Sequence, residues 1–281
     1  MKRQIIFVLG MHRSGTSAVA GILNKLGVSL GSRLMEANEY NEKGYFENSY
    51  VVDINNEILE TLDSSWDDLF WDEEDWWKRP QLSIHREKVI DIIEKEFGST
   101  ALFSIKDPRI CLLLPFWTSI IQELNIEPVF IITVRHPMEV AESLRSRDGF
   151  SIQKGLLLWM NYMLDVEHSS RDFRRTFVSF DAFLTDPVEA INRISTSLNV
   201  NFPKAWSEIK NETEVFLDID IKHHTIQDVK ANKEVASLIW RYYQILLELT
   251  GQAKDNEGYS FEINKIKSAY KKFIVHFIIK M

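Results

Sequence analysis

The apolar run Ile5-Ile6-Phe7-Val8-Leu9 leads directly into Gly10-Met11-His12-Arg13-Ser14-Gly15-Thr16-Ser17. Beyond that, Ala18, Val19, Ile22, Leu23 and Leu26 recur at helical spacing up to Gly27. A short, continuous, β-branched-rich run reads as a strand buried on both faces, and the later spacing reads as a helix. Glycines at both ends of the joining loop permit a turn closed to other residues. Successive backbone N-H groups and the helix N-terminus can then converge on an anion. A buried strand that passes through such a loop into a helix restricts the chain to a layered α/β architecture.

The rest of the sequence repeats the alternation. Buried-strand candidates at 101–105, 129–134 and 176–180 are followed by polar or proline-containing loops. Helical patterns follow at 111–124, at 138–147 and from Pro187, where Val188, Ile191, Ile194 and Leu198 share one face. The expectation is a mostly parallel sheet covered on both sides, with ligands beyond the carboxyl ends of its strands. A length of 281 residues with 45% apolar content suits one large domain at 1–250, interrupted by a polar, aromatic insertion near 28–80. An amphipathic helix is expected over 235–249. A linker from Gly251 to Ser260 and a basic tail from Lys265 to Lys280 make up a separate 251–281 segment, which would dock on the core, a protein partner or a membrane surface.

The formal charge of -8 gives no general attraction to nucleic acid or anionic membranes, so an anionic ligand needs a local positive site. The lone Cys111 reads as a small buried hydrophobe. No apolar run reaches the length of a bilayer span, and no secretory leader pattern is present, so the expected location is cytoplasmic.

The loop at 10–17 follows Walker A spacing up to Gly15, where the required lysine is replaced by Thr16. Ordinary magnesium-nucleotide hydrolysis is therefore disfavoured. Arg13 supplies a positive fork instead, and the hydroxyls of Ser14, Thr16 and Ser17 are available to anionic oxygens. A P-loop small-molecule or nucleotide kinase and a catalytically silent nucleotide-binding assembly protein are the competing readings. Asp107 would hold magnesium in the first.

Residues 7–20 resemble the 5′-phosphosulfate loop of sulfotransferases that use the donor PAPS, especially carbohydrate and tyrosylprotein types with Arg-Ser-Gly-Thr in this loop. Val134-Arg135-His136-Pro137 through Ser143-Leu144 resembles their second signature. Asn41 to Asn48, Lys106-Asp107-Pro108-Arg109 and Phe177 to Pro187 extend the resemblance to sulfotransferase-like proteins of bacterial polysaccharide pathways, over roughly residues 4 to 225. The resemblance implies a P-loop-containing nucleotide-hydrolase-like three-layer fold and sulfuryl transfer from PAPS without a metal. It gives Ser14, Gly15, Thr16 and Ser17 to the donor's 5′ end, and Arg135 and Ser143 to its 3′-phosphate.

Arg13 is then the leaving-group stabiliser, with Lys106 and Arg109 in support. Glu47 is the preferred base for the acceptor and Glu42 the second, ahead of Glu36, Asp107 and His12. Asp107 either orients its basic neighbours or accepts a substrate hydrogen bond, and Arg109 is placed at the acceptor. The chain departs from the cytosolic small-molecule enzymes in having Arg13 where they have lysine. It also lacks their late Arg-Lys-Gly segment, for which Lys222, His223 and His224 are the candidate substitutes. Trp66, Trp71, Trp76 and Trp77, beside Asp67, Asp68, Asp72, Glu73, Glu74 and Asp75, are expected to form an acceptor-side lid. Such a lid favours a neutral or amino-bearing carbohydrate over a polyanionic one.

Overall fold

The computed structural model describes residues 3–37, 44–69, 75–217, 233–252 and 257–279. Four parallel strands, β1 (Gln4–Leu9), β2 (Leu102–Lys106), β3 (Glu127–Val134) and β4 (Arg174–Ser179), form a sheet in the order β2-β1-β3-β4. The chain leaves β1 for one neighbour and returns past it to the other. The carboxyl ends of β1, β2 and β3 therefore border the crevice where such sheets bind ligands.

Alternation along the central strands divides the core into two layers. Ile5, Phe7 and Leu9 of β1 join Phe130, Ile132 and Val134 of β3 on one face. Ile6 and Val8 join Val129 and Ile131 on the other. Because both faces are covered, the strands read as unbroken apolar runs rather than alternating ones. The second face is covered by α1 (Thr16–Lys25), α7 (Phe180–Thr185), α8 (Pro187–Leu198) and α9 (Trp206–Leu217). The first face carries α2 (Ser49–Thr61), α3 (Ser83–Phe97), α4 (Ile110–Glu123), α5 (Pro137–Asp148), α6 (Ile152–Ser169), α10 (Lys233–Thr250) and α11 (Glu257–Ile279). This is the three-layer α/β arrangement expected for a chain with a P-loop-like opening.

Two stretches outside the strand-helix alternation join the core. The stretch around 28–80 is not merely an excursion, since α2 buries Val51, Ile54, Ile58 and Leu59 in the main core. Asn48 starts that helix by accepting the amide of Tyr50 at 3.1 Å. The basic tail is α11, whose Ile263, Ile266, Tyr270 and Ile274 enter the same core as β1. Tyr270 Oη donates to the Leu157 carbonyl at 2.8 Å, and Lys267 pairs with Asp165 at 3.2 Å. These contacts dock α11 on the core, one of the outcomes expected for the tail, while Phe261 and Val275 stay exposed. Among the described residues no helix is long and apolar enough to cross a membrane.

Candidate active site

The loop after β1 has the backbone that its glycines permit. Gly10 has φ 144°, and a Cβ there would lie 2.3 Å from Thr133 Oγ1 on β3. Gly15 has φ 87°, and a Cβ there would lie 2.1 Å from the Phe180 ring. Arg13 also takes a positive φ, 70°, uncommon for a residue with a side chain and a mark of a locally imposed turn. The Ser14 amide closes that turn on the Met11 carbonyl at 3.1 Å. Helix α1 then begins at Thr16 without a side-chain cap, its Ala18 amide turning back to the Gly15 carbonyl at 3.1 Å. Beneath the loop, the Gly10 amide meets Cys111 Sγ at 3.2 Å, and burial pushes the Cys111 thiol up, so it packs as the small hydrophobe expected.

Arg13 joins the loop to the second signature. Its Nε donates to Ser143 Oγ at 2.7 Å, and Arg135 Nη1 donates to the Arg13 carbonyl at 3.0 Å. Arg135 pairs with Glu139 at 2.8 Å and lies 4.9 Å from the centre of the Phe180 ring. Burial, then the nearby Arg147 and Arg135, lower the Arg13 pKa from the usual guanidinium value. Cations crowded together in a partly dry place are stabilised by an anion.

At the end of β2, Lys106 Nζ contacts Glu47 Oε1 at 2.5 Å, the Tyr45 carbonyl at 3.1 Å and Ser17 Oγ at 3.2 Å. Glu47 is 5% exposed, and its other oxygen lies 3.9 Å from Arg109 Nη1. Burial raises its pKa, while Lys106 and Arg109 oppose that rise. Asp107 has no exposed surface. Its Oδ1 accepts from the Arg109 amide and from Arg109 Nη1, both at 2.9 Å, and its Oδ2 accepts from Asn55 Nδ2 at 3.1 Å. Trp117 Nε1 donates to Asn55 Oδ1 at 2.8 Å. With its oxygens engaged and covered, Asp107 braces Arg109. Burial tends to lower the Arg109 pKa, but the carboxylates of Asp107 and Glu47 outweigh it and the net shift is upward.

Three buried polar atoms at this place have no hydrogen-bond partner among the described residues: His12 Nε2, Ser14 Oγ and Arg109 Nε. Burial, followed by the charges of Arg109, Arg147, Lys106 and Arg13, holds the His12 pKa well below its ordinary value, so the imidazole is neutral at neutral pH. Buried donors and acceptors are normally satisfied. Orphaned polar atoms beside a helix N-terminus and clustered cations suit the oxygens of an anion.

The tryptophan lid needs correction. Trp76 is 4% exposed in a 3-10 turn at Trp76–Lys78 and packs edge-on against Trp77, so its faces are taken by protein. Trp66 instead reaches the site, its ring centre 4.7 Å from that of His12. Its carbonyl accepts from Tyr162 Oη at 2.6 Å, and the neighbouring Asp67 pairs with Lys154 at 2.6 Å. Glu36 is exposed. Glu42, Trp71, Asp72, Glu73, Glu74, Lys222, His223 and His224 lie outside the described residues.

Sequence reasoning passed over Arg147 and Asn55. Arg147 stands one helical turn beyond Ser143, so the i to i+4 spacing could have revealed it. Asn55 had no local signal, because its partners come from α4 and the end of β2. Among the described residues no three His, Cys, Asp or Glu side chains gather at one point.

No family model matches the chain, and no curated protein matches it. Among solved structures it is similar to the sulfotransferase domain from the Synechococcus PCC 7002 olefin synthase, with 16% identity, a TM-score of 0.49, and coverage of 86% of this chain and 96% of that one. It is also similar to the sulfotransferase domain from the curacin biosynthetic pathway, with 14% identity, a TM-score of 0.39, and coverage of 84% and 82%. At these scores nothing about donor or acceptor passes from those domains to this chain.

Proposed function

We propose that the chain transfers a sulfuryl group from PAPS to a hydroxyl or amine acceptor, with a carbohydrate the favoured class. The observation that carries this reading is the meeting of Arg13, Arg135 and Ser143. Two segments far apart in sequence, each resembling one half of a donor signature, are joined by the 2.7 Å and 3.0 Å contacts at the ends of β1 and β3.

PAPS would supply an activated sulfuryl group and a leaving phosphate. The loop amides, Ser14, Thr16 and Ser17 would hold its 5′ end, and Arg135 and Ser143 its 3′-phosphate. Arg13, with Lys106 beside Ser17, would supply positive charge where the leaving oxygen develops its own. Glu47 would take the acceptor's proton, its basicity raised by burial and its orientation fixed by Lys106. Arg109, braced by Asp107, would face the acceptor.

The test is calorimetry at fixed salt with PAP, the product nucleotide, against ATP, followed by transfer from labelled PAPS to a panel of glycans. PAP should bind much more tightly than ATP, which lacks the 3′-phosphate. Arg135→Ala should weaken PAP by about 1.5 to 3 kcal/mol, the scale of a lost charge-assisted hydrogen bond. Equal affinities for PAP and ATP would remove the reading.

A further inference from the structure

Arg147 has no role in that account, and its surroundings supply one, on the donor reading just given. Its guanidinium carbon lies 5.4 Å from the centre of the Trp66 ring. Its Nε donates to Asp148 Oδ1 at 3.0 Å and Oδ2 at 2.8 Å, and the side chain is 16% exposed. Asp148 and Trp66 thus fix the guanidinium, while its two Nη groups make no hydrogen bond among the described residues. A guanidinium held at Nε and on one face presents the rest of its fork to a planar or tetrahedral anion.

The cations of the site fall into two groups. Arg135, paired with Glu139, lies on the Phe180 ring at the Gly15 side of the loop. Arg147 lies on Trp66, which in turn touches His12. Arg109, Arg147, Lys106 and Arg13 are the cations whose charge weighs most on His12. His12 itself is 8% exposed, and its Nε2 has no partner. Through Trp66 and His12, Arg147 therefore stands at the start of the phosphate loop, whereas Arg135 meets the loop at the Arg13 carbonyl.

We propose that Arg147 is a further donor-holding residue, gripping the 5′ end of the nucleotide through its Nη groups, with Trp66 as the residue that positions it. The polar segment between α2 and α3 would then contribute to donor binding by fixing a guanidinium beside the loop, in addition to any contact with the acceptor.

Truncated nucleotides separate the contributions of Arg147 and Arg135. Adenosine 5′-monophosphate, adenosine 3′-monophosphate and PAP would be titrated calorimetrically into wild type, Arg147→Gln and Arg135→Ala at one salt concentration. Arg147→Gln should weaken the 5′-monophosphate and PAP roughly tenfold to a hundredfold, leaving the 3′-monophosphate within about twofold. Arg135→Ala should do the reverse with the monophosphates. Trp66→Ala should reproduce part of the 5′ loss and Trp66→Phe restore it, a pattern that simple unfolding would not give.

Arg147→Gln binding all three ligands like wild type, or losing both monophosphates equally, overturns the proposal while leaving sulfuryl transfer intact. A wild type that binds PAP no better than ATP removes the donor reading, and this inference with it. Should the monophosphates bind too weakly to measure, PAP alone decides. Should Arg147→Gln melt below the assay temperature, Arg147→Lys, which keeps the charge and loses the fork, takes its place with a smaller 5′ loss expected.

Discussion

Two buried ionic networks lie at opposite ends of the sheet. At the amino end of β4, Glu167 Oε1 accepts from Arg171 Nε at 2.9 Å and Arg175 Nη2 at 3.1 Å, and its Oε2 accepts from Arg171 Nη2 at 2.7 Å. Arg175 Nη1 also reaches Ser170 Oγ at 3.0 Å and the Glu167 carbonyl. No polar side-chain atom of Glu167, Arg171, Arg175 or Ser170 is left buried without a partner. At the carboxyl ends of β1 to β3, Lys106, Glu47, Arg109 and Asp107 are as deeply set, yet His12, Ser14 and Arg109 each keep an orphaned polar atom. Burial of charge is common to both ends, so it does not mark a binding site. The difference is closure: one network satisfies itself, and the other has hydrogen-bonding capacity left for an anion.

Breaking the closed network should have the largest effect. Glu167→Gln leaves two arginines without their buried carboxylate and should cost about 3 to 5 kcal/mol of stability. Urea unfolding would measure this, and the PAP-over-ATP preference of the folded fraction should not move. If nucleotide preference changed with Glu167, the two networks would not be separate.

Glu47→Gln probes the open network and should lower kcat roughly 100-fold on any acceptor found with labelled PAPS, the scale of general-base assistance. Because its raised pKa places the switch to the basic form above the ordinary carboxylate range, wild-type kcat should climb as pH rises beyond that range. The variant should lose this limb. It should also melt earlier, since Lys106 loses its charged partner. Unchanged turnover would move the base elsewhere.

The smallest expected effect concerns His12. Its folded pKa is depressed, so the unfolded chain takes up the proton first. Stability present above about pH 6.5 is therefore lost as pH falls towards the folded value. Urea midpoints at pH 7.5 and 5.5 should differ less in His12→Asn than in wild type. His85, His136 and His168, also lowered chiefly by burial, remain in both proteins and cancel in the comparison. An identical drop in the variant would place the titration elsewhere.

The readable parts of the sequence were those determined locally. β1 announced itself because a strand buried on both faces has no polar positions, and Pro187–Leu198 because its apolar residues repeat along one face with Asp186 capping the start. Arg13, Arg135 and Ser143 were singled out through the resemblance of the two segments that carry them, and the fold brings these segments together. The region from 28 to 101 was not legible. Whether Trp66 or Trp76 faces the site depends on Tyr162 Oη holding the Trp66 carbonyl and Lys154 holding Asp67, contacts made by α6 from far along the chain. The hold of Asn55 on Asp107 was not legible either, because Asn55 sits on a helix that gave no local sign of pointing there.

The hydrogen bond from Arg13 to Ser143 spans 130 positions in sequence. No short fragment of the chain can present both groups, and long-range closures of this kind come at an entropic cost during folding. A nucleotide that needs both ends of the site therefore recognises only molecules whose central sheet has already formed. At concentrations well above its dissociation constant it would draw the folding equilibrium towards that population, by about 2.7 kcal/mol at a hundredfold excess. Donor supply would then help set how much of the protein survives as well as how fast it turns over.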